Sequence, residues 1–303
     1  MKIVVAGGTG LVGKAIVNCL LGARHDVVVL CRNAAAARKS INASARLDVW
    51  DGKTPGPWCQ TIDGADAVLN FAGESIGAKR WSPARKRIIL HSRLDPTKAL
   101  VEAIRNAVQK PSVLINASAV GYYGNVEEEE VTESRPQGEG FLADVCGQWE
   151  REANVAETLG VRVITTRSGV VLAKDAPALQ KMMLPFKFFV GGPVGSGRQW
   201  FSWIHIDDLT ALVSFALTNG NLSGPVNVVA PESVTMRQVS SALGKAMQRP
   251  SWAPAPSFVL RILLGEMSEI VLNGQKVVPA KIMQSGFSFR FPNLAGALAD
   301  VAK

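Results

Sequence analysis

Short apolar runs closed by turn-forming residues recur along the first 172 positions: "KIVVAG", "DVVVLCR", "ARLDVW", "DAVLNFAG", "SVLINASA" and "RVITTRSGVVL". They are rich in β-branched residues and lack the alternation of a half-exposed strand, which is the composition of strands covered on both faces. The segments between them have helix length. Six such strands alternating with helices predict a doubly wound α/β domain with a mostly parallel sheet. Beyond residue 172 the pattern gives way to Gly- and Pro-rich connections, "VGGPVGSGRQ" and "RPSWAPAPS", and to shorter helical pieces, predicting a second, smaller lobe.

The first strand runs directly into "GGTGLVG" and then into a helix. Gly7 suits the tight turn, Gly10 lets backbone approach a pyrophosphate, and Gly13 lets the helix pack closely on the sheet, so that phosphates meet the unpaired N–H groups of the helix N-terminus. The second strand, "HDVVVL", returns at the distance a βαβ unit requires, which turns the glycine spacing into a dinucleotide-binding prediction. That strand ends in "LCRN", where a site for NAD would present Asp or Glu to the ribose hydroxyls. Arg32 instead offers a permanently charged fork for a 2′-phosphate, which favours NADP(H).

Composition narrows the picture further. The chain of 303 residues is 47% hydrophobic and has no apolar run long enough to span a bilayer. Its N-terminus does not read as a secretory signal, so a cytoplasmic protein with no membrane association is expected. Four widely separated cysteines read as reduced core residues rather than a disulfide framework or a zinc site, and no metal is expected. Most of the net charge of +8 lies in the second half, where fifteen basic residues stand against nine acidic ones. No basic run with interleaved aromatics marks a nucleic-acid surface, which leaves either a small anionic substrate or a solvated basic face.

The spacing Gly7, Gly10, Gly13, followed by "NFAG" at 70–73 and "YYG" at 122–124, resembles the extended short-chain dehydrogenase/reductase superfamily. The segments "AGESIGAKRWSPARKRIILHSRLDPTKALV", "ASAVGYYG", "GGPVGSGRQWFSWIHIDDL" and "LGEMSEIVLNGQKVVPAKIMQSGFSFRF" are similar, more narrowly, to the epimerase family proteins of the SDR39U1-like type. The resemblance covers nearly the whole chain. It implies a Rossmann domain, here 1–172 plus 203–230, and a C-terminal substrate lobe, here 173–202 plus 231–303. It implies NADP(H) contacts at Gly7, Thr9, Gly10, Leu11, Val12, Gly13 and Arg32, with Ala72 and Gly73 beside the ribose and nicotinamide and Asp51 near the adenine.

The sequence departs from that superfamily in its chemistry. Most members move a proton with a Tyr whose pKa is lowered by a Lys four residues later, while a Ser or Thr holds the substrate oxygen. Aligning Glu150 with the acidic residue that ends the corresponding helix puts Leu142 and Cys146 at those two positions, and neither can do that work. The remaining candidates are Ser118 and Tyr123 as catalytic groups just past the fifth strand. Glu74, Lys79, Arg80, Tyr122 and Arg198 are candidates for binding the substrate. His205, among large apolar neighbours in "WIHIDDL", reads as a structural residue ahead of a helix whose first turn carries Asp207 and Asp208. Two functions stand open: an NADP-dependent oxidoreductase or epimerase-like enzyme on a small polar or anionic substrate, and a non-catalytic NADPH-binding sensor or partner-binding module.

Overall fold

The structure, a computed structural model, describes residues 1–302. Seven strands form one parallel sheet: β1 (Lys2–Ala6), β2 (Asp26–Cys31), β3 (Arg46–Val49), β4 (Ala67–Asn70), β5 (Val113–Ala119), β6 (Arg162–Ser168) and β7 (Gly224–Val228). Their spatial order is 7-6-5-4-1-2-3, so the chain reverses direction across the sheet between β1 and β4. A crevice opens beyond the C-terminal ends of strands at such a switch point.

Successive side chains of a strand point to opposite faces, and here both faces are buried. Ile3 and Val5 pack with Ile16, Val17 and Leu20 of helix α1 (Leu11–Gly22) on one side; Val4 and Ala6 pack with Leu100 and Ile104 of α2 (Pro83–Asn106) and Ala153 of α3 (Phe141–Asn154) on the other. This accounts for the unbroken apolar runs. Helix α4 (Ile206–Thr218) completes the first face through Leu209, Leu212 and Val213. No helix among the described residues is long and apolar enough to cross a membrane.

Two sheet features differ from the sequence expectation. The run "RVITTRSGVVL" is not one strand, because the chain leaves the sheet at Gly169, where a Cβ would stand 2.6 Å from the Ser202 carbonyl oxygen. Val170 N–H then donates to Ser202, and 170–172 pair with 203–205 outside the main sheet. A seventh strand, β7, also lies beyond the six predicted runs. It opens with Gly224-Pro225, a turn signal, and its edge position tolerates the proline's missing N–H.

The smaller lobe has its own core, in which Leu179, Met183 and Phe186 pack with Val239 and Leu243 of α5 (Met236–Met247) and with Leu294 and Leu298. The last part of the chain is shared between cores: Ile282, Phe287 and Phe289 pack against the α1 and α4 face of the sheet. Asp208, buried at the start of α4, accepts the backbone N–H groups of Arg290 and Phe291 at 2.7 and 2.9 Å and pins this segment. His205 caps α4, its Nδ1 accepting the Asp207 N–H, which is the structural role read from the sequence.

Candidate dinucleotide site

The glycine turn is shaped by close backbone approach. Gly7 has φ +78°, and a Cβ there would stand 2.4 Å from the Phe71 carbonyl group, so only glycine lets the loop after β4 lie against the turn. A Cβ on Gly13 would stand 2.2 Å from the Gly7 carbonyl oxygen, which is how α1 seats itself on the turn. Gly10 differs from both: its φ is −76°, and a Cβ would meet nothing closer than the Gly7 oxygen at 3.4 Å. Its outer side is open. Helix α1 starts there with no side-chain cap and no acidic residue in its first turn. The positive end of the helix and the N–H groups of 11–13 are therefore available to an anion, and a pyrophosphate fits this cradle.

Arg32 follows β2 and is exposed. The neighbouring arginine is not available, since Arg38 donates to the carbonyls of Ala43 and Ala45 at 3.2 and 3.0 Å. Asn33 between them caps the short helix Ala34–Arg38 through the Ala36 N–H. Asp51, beyond the end of β3, spends both carboxylate oxygens on its own turn: Oδ1 accepts from the N–H groups of Lys53 and Thr54, Oδ2 from the Thr54 hydroxyl. The Thr54 hydroxyl and these N–H groups hold its pKa down at about 2. The carboxylate is thus a local clamp on its own turn.

The loop 70–73 is set by a buried hub that apolar patterning does not reveal. Asn70, fully buried, donates to Asn116 Oδ1 at 2.7 Å and to Thr97 Oγ1 at 2.9 Å, while its Oδ1 accepts the Ala72 N–H at 3.2 Å. Thr97 also accepts from Trp149 Nε1 at 3.0 Å. Strand β4 and helices α2 and α3 are thereby locked together under the crevice, with Ala72 and Gly73 presented at its rim. Glu74 follows, its N–H donating to Ser92 Oγ and its carboxylate 3.4 Å from both terminal nitrogens of Arg85. Arg93, from the next turns of α2, lies against Gly73 and over the Trp149 ring.

Ser118 and Tyr123 belong to a second buried network, which corrects the expectation that they act on a substrate. Ser118 Oγ donates to Glu150 Oε1 at 2.6 Å. The Tyr123 hydroxyl donates to Asn227 Oδ1 at 2.6 Å and accepts from Arg167 Nη1 at 3.0 Å. Tyr123 is 1% exposed, and burial pushes its phenol up to about 12 despite the Arg167 charge beside it. A general acid needs an open path to the reacting atom and a pKa near the working pH. This hydroxyl has neither. Tyr122 is partly buried, with the Arg167 guanidinium 3.5 Å from its ring centre.

The turn Val120–Tyr123 is covered by the lobe, whose Gln275 amide donates to the carbonyls of Val120 and Gly124 at 3.2 and 2.6 Å. Arg80 reaches the lobe as well: a Cβ on Gly265 would stand 3.0 Å from its Nη2. Lys79 is exposed. Arg198 is exposed in a loop fastened to the lobe itself, through Arg237 to Ser196 and Gln199 to Val271, and no bond among the described residues joins it to 70–73 or 118–124. The structure therefore gathers Gly7, Gly10, Gly13, Arg32, Ala72, Gly73 and Glu74 along one edge, turns Ser118 and Tyr123 inward, and leaves Arg198 apart.

Sheet order, switch point and glycine cradle together define a Rossmann-type dinucleotide-binding protein carrying a C-terminal lobe. The chain belongs to the NAD dependent epimerase/dehydratase family, whose model matches residues 3–229, and a domain of unknown function, DUF1731, matches residues 255–301. It is 41% identical over 303 residues to the epimerase family protein SDR39U1 homolog of Arabidopsis thaliana chloroplasts, covering 99% of this chain and 86% of that protein. It is 38% identical to the epimerase family protein YfhF of Bacillus subtilis, covering 99% and 98%. The crystal structure of human epimerase family protein SDR39U1 (isoform 2) with NADPH matches with a TM-score of 0.88 at 33% identity, over 100% of this chain and 99% of that one.

Proposed function

We propose that the protein binds NADP(H) along the C-terminal edge of β1, β2 and β4 and transfers hydride to or from a small polar or anionic molecule held under the lobe. The observation that carries this reading is the open Gly10 cradle at the uncapped start of α1, with Arg32 free at the end of the neighbouring strand. The human relative bound to NADPH supports the same cofactor. Bound NADP(H) supplies or accepts the hydride. The chain's own residues hold the pyrophosphate at 10–13, fork the 2′-phosphate at Arg32, and present Glu74 at the rim. With Tyr123 and Ser118 committed to the interior, the Glu74 carboxylate is the titratable group left beside Gly73 to exchange a proton.

A second reading, a non-catalytic NADPH-binding sensor, draws on one specific observation: Leu142 and Cys146 occupy the Tyr and Lys positions, and the nearby hydroxyls are consumed in the core. The experiment that separates the two is NADPH oxidation and NADP⁺ reduction measured against a panel of carbonyl compounds, sugar acids and nucleotide sugars, with Glu74→Gln alongside. Turnover that falls by about 10²-fold or more in Glu74→Gln supports the enzyme. Tight NADPH binding with no turnover on any panel member supports the sensor.

A further inference from the structure

The two Gly- and Pro-rich connections of the smaller lobe meet each other. Residues 191–195, which follow the helix Pro177–Lys187, run alongside 251–255, which follow α5. The Trp252 and Ala253 N–H groups donate to the Gly191 carbonyl at 2.9 and 3.0 Å, and the Gly195 N–H donates to Ala255 at 2.9 Å. A Cβ on Gly192 would stand 2.1 Å from the Ala253 carbonyl oxygen, so glycine is what allows this approach. The paired segments form a ledge that carries large side chains outward. Phe188, Phe189, Val190 and Trp252 are all at least half exposed, Trp252 at 67%.

These rings are fixed in place. Trp252 Nε1 donates to the Phe189 carbonyl at 3.0 Å, and the Arg249 guanidinium lies 4.4 Å from the Phe189 ring centre. Phe189 itself has φ +63°, a left-handed backbone that is costly for a bulky residue. Aromatic side chains held in water at such a cost mark the centre of an interface rather than ordinary surface.

Charge indicates what this face meets. Positions 176–206 and 233–265 carry seven lysines and arginines and no aspartate or glutamate. Beside the rings, an open depression of about 400 Å³ is lined by Ser241, Lys245, Gln248, Arg249 and Ser251 around Gly244, so that hydrogen-bond donors and no carboxylate surround it.

We propose that this face of the lobe docks an acidic segment of a partner protein, whose carboxylates enter the depression at Lys245 and Arg249 and whose apolar side chains cover Phe188, Phe189 and Trp252. The cations ring a depression that side-chain carboxylates can enter and a flat lipid surface cannot. The aliphatic Leu184 and Val190 on either side of the phenylalanines suit a protein chain better than stacked bases. None of these residues belongs to the dinucleotide cradle, so the proposal stands apart from the NADP(H) reading.

Fluorescence anisotropy tests it, with the full chain titrated into a fluorescein-labelled peptide that repeats Glu-Leu-Glu-Phe. The parent is expected to bind this peptide, and to bind the same peptide with Lys for Glu about tenfold more weakly or worse. Arg249→Glu and Trp252→Ala, both at exposed positions, are each expected to weaken the acidic peptide by about tenfold or more while keeping the parental thermal midpoint and NADPH affinity. Lys110→Glu makes the same change of charge on an exposed residue outside the lobe and is expected to leave binding within about twofold. If Arg249→Glu lowers the thermal midpoint, Lys187→Glu, also exposed, carries the same test. A parent that does not bind the acidic peptide, equal binding of the two peptides, or equal losses in Arg249→Glu and Lys110→Glu overturns the proposal. Preference for phosphatidylglycerol vesicles or an oligothymidylate over the peptide, or a dimer in sedimentation that Trp252→Ala dissociates, gives the face another occupant and overturns it as well.

Discussion

Glu150 holds Arg167 through two hydrogen bonds, Nε to Oε1 at 2.9 Å and Nη2 to Oε2 at 2.8 Å, with side-chain exposures of only 7% and 4%. The pair joins the middle of α3 to β6, and its remaining bonds reach Ser118 on β5 and Tyr123 in the turn beyond. Burial alone would lower the guanidinium's pKa, but the Glu150 hydrogen bonds and charge outweigh it and keep Arg167 protonated. Removing one partner leaves a buried charge without compensation. Glu150→Leu is therefore expected to cost about 3–5 kcal/mol, and Glu150→Leu with Arg167→Met much less than the sum of the single changes. Urea unfolding of the three variants measures both. Additive losses would show that the two side chains act independently.

Tyr123→Phe deletes the hydroxyl that Asn227 Oδ1 and Arg167 Nη1 both use. The expected cost is about 1–3 kcal/mol of stability, with NADPH affinity unchanged, because the hydroxyl lies inside the core rather than in the crevice. A variant of parental stability that has lost cofactor affinity would return Tyr123 to the crevice.

The same burial predicts how stability falls at high pH. Tyr123 is raised from 10.0 to about 12 and Cys146 from 9.0 to about 11, so the folded state retains both protons where the unfolded chain releases them. Their contribution is fully present below about pH 9 and is lost as pH rises towards 12. Thermal unfolding across that window is expected to show a steep fall, shallower between 10 and 12 in Tyr123→Phe. An equally steep fall in the variant would assign it to other groups.

Gly10 and Gly13 separate recognition from packing. Gly10→Val has an ordinary φ and room for its side chain, so it is expected to fold with near-parental stability and to lose dinucleotide binding, since the branch fills the pyrophosphate's place. Gly13→Ala would put a Cβ 2.2 Å from the Gly7 oxygen and is expected to lose both. Comparing thermal midpoints with NADPH titrations distinguishes the two. Retained binding in a folded Gly10→Val would make the turn structural only.

Arg32→Ala is expected to abolish a preference for NADPH over NADH. A bidentate contact from an exposed arginine to a 2′-phosphate corresponds to about 1–3 kcal/mol, or roughly 10–100-fold. Calorimetry with both cofactors reads the ratio in parent and variant, and a ratio unaffected by the substitution would remove Arg32 from the site.

Features whose geometry depends on near neighbours in the chain were legible without a structure. The glycine spacing at 7, 10 and 13, the strand that follows it, and Arg32 at that strand's end form one local βαβ unit, and their geometry is fixed by backbone sterics within some thirty positions. His205 was legible as structural for the same reason, being capped to its own helix. Ser118 and Tyr123 were misread because they stand at the sheet edge that usually faces ligand. Whether a side chain there turns outward or inward depends on partners far along the chain: Glu150 for Ser118, and Asn227 and Arg167 for Tyr123. An arginine inside the apolar run "VITTRSG" and a glutamate in a helix interior were the available signals, since a buried charge requires a partner.

The sequence by itself determined the doubly wound sheet, the phosphate cradle and the charge beside it, because apolar periodicity and glycine sterics act over short range. Only the tertiary structure decided which polar groups face the crevice. Asn70, Thr97 and Trp149 meet from three elements, as do Gly73, Arg93 and Cys146, and their pairing follows from how α2 and α3 pack on β4 and β5. Burial makes an unmet hydrogen bond or charge costly, so packing assigns each donor to a partner or to the open edge, and no stretch of the chain carries that assignment alone.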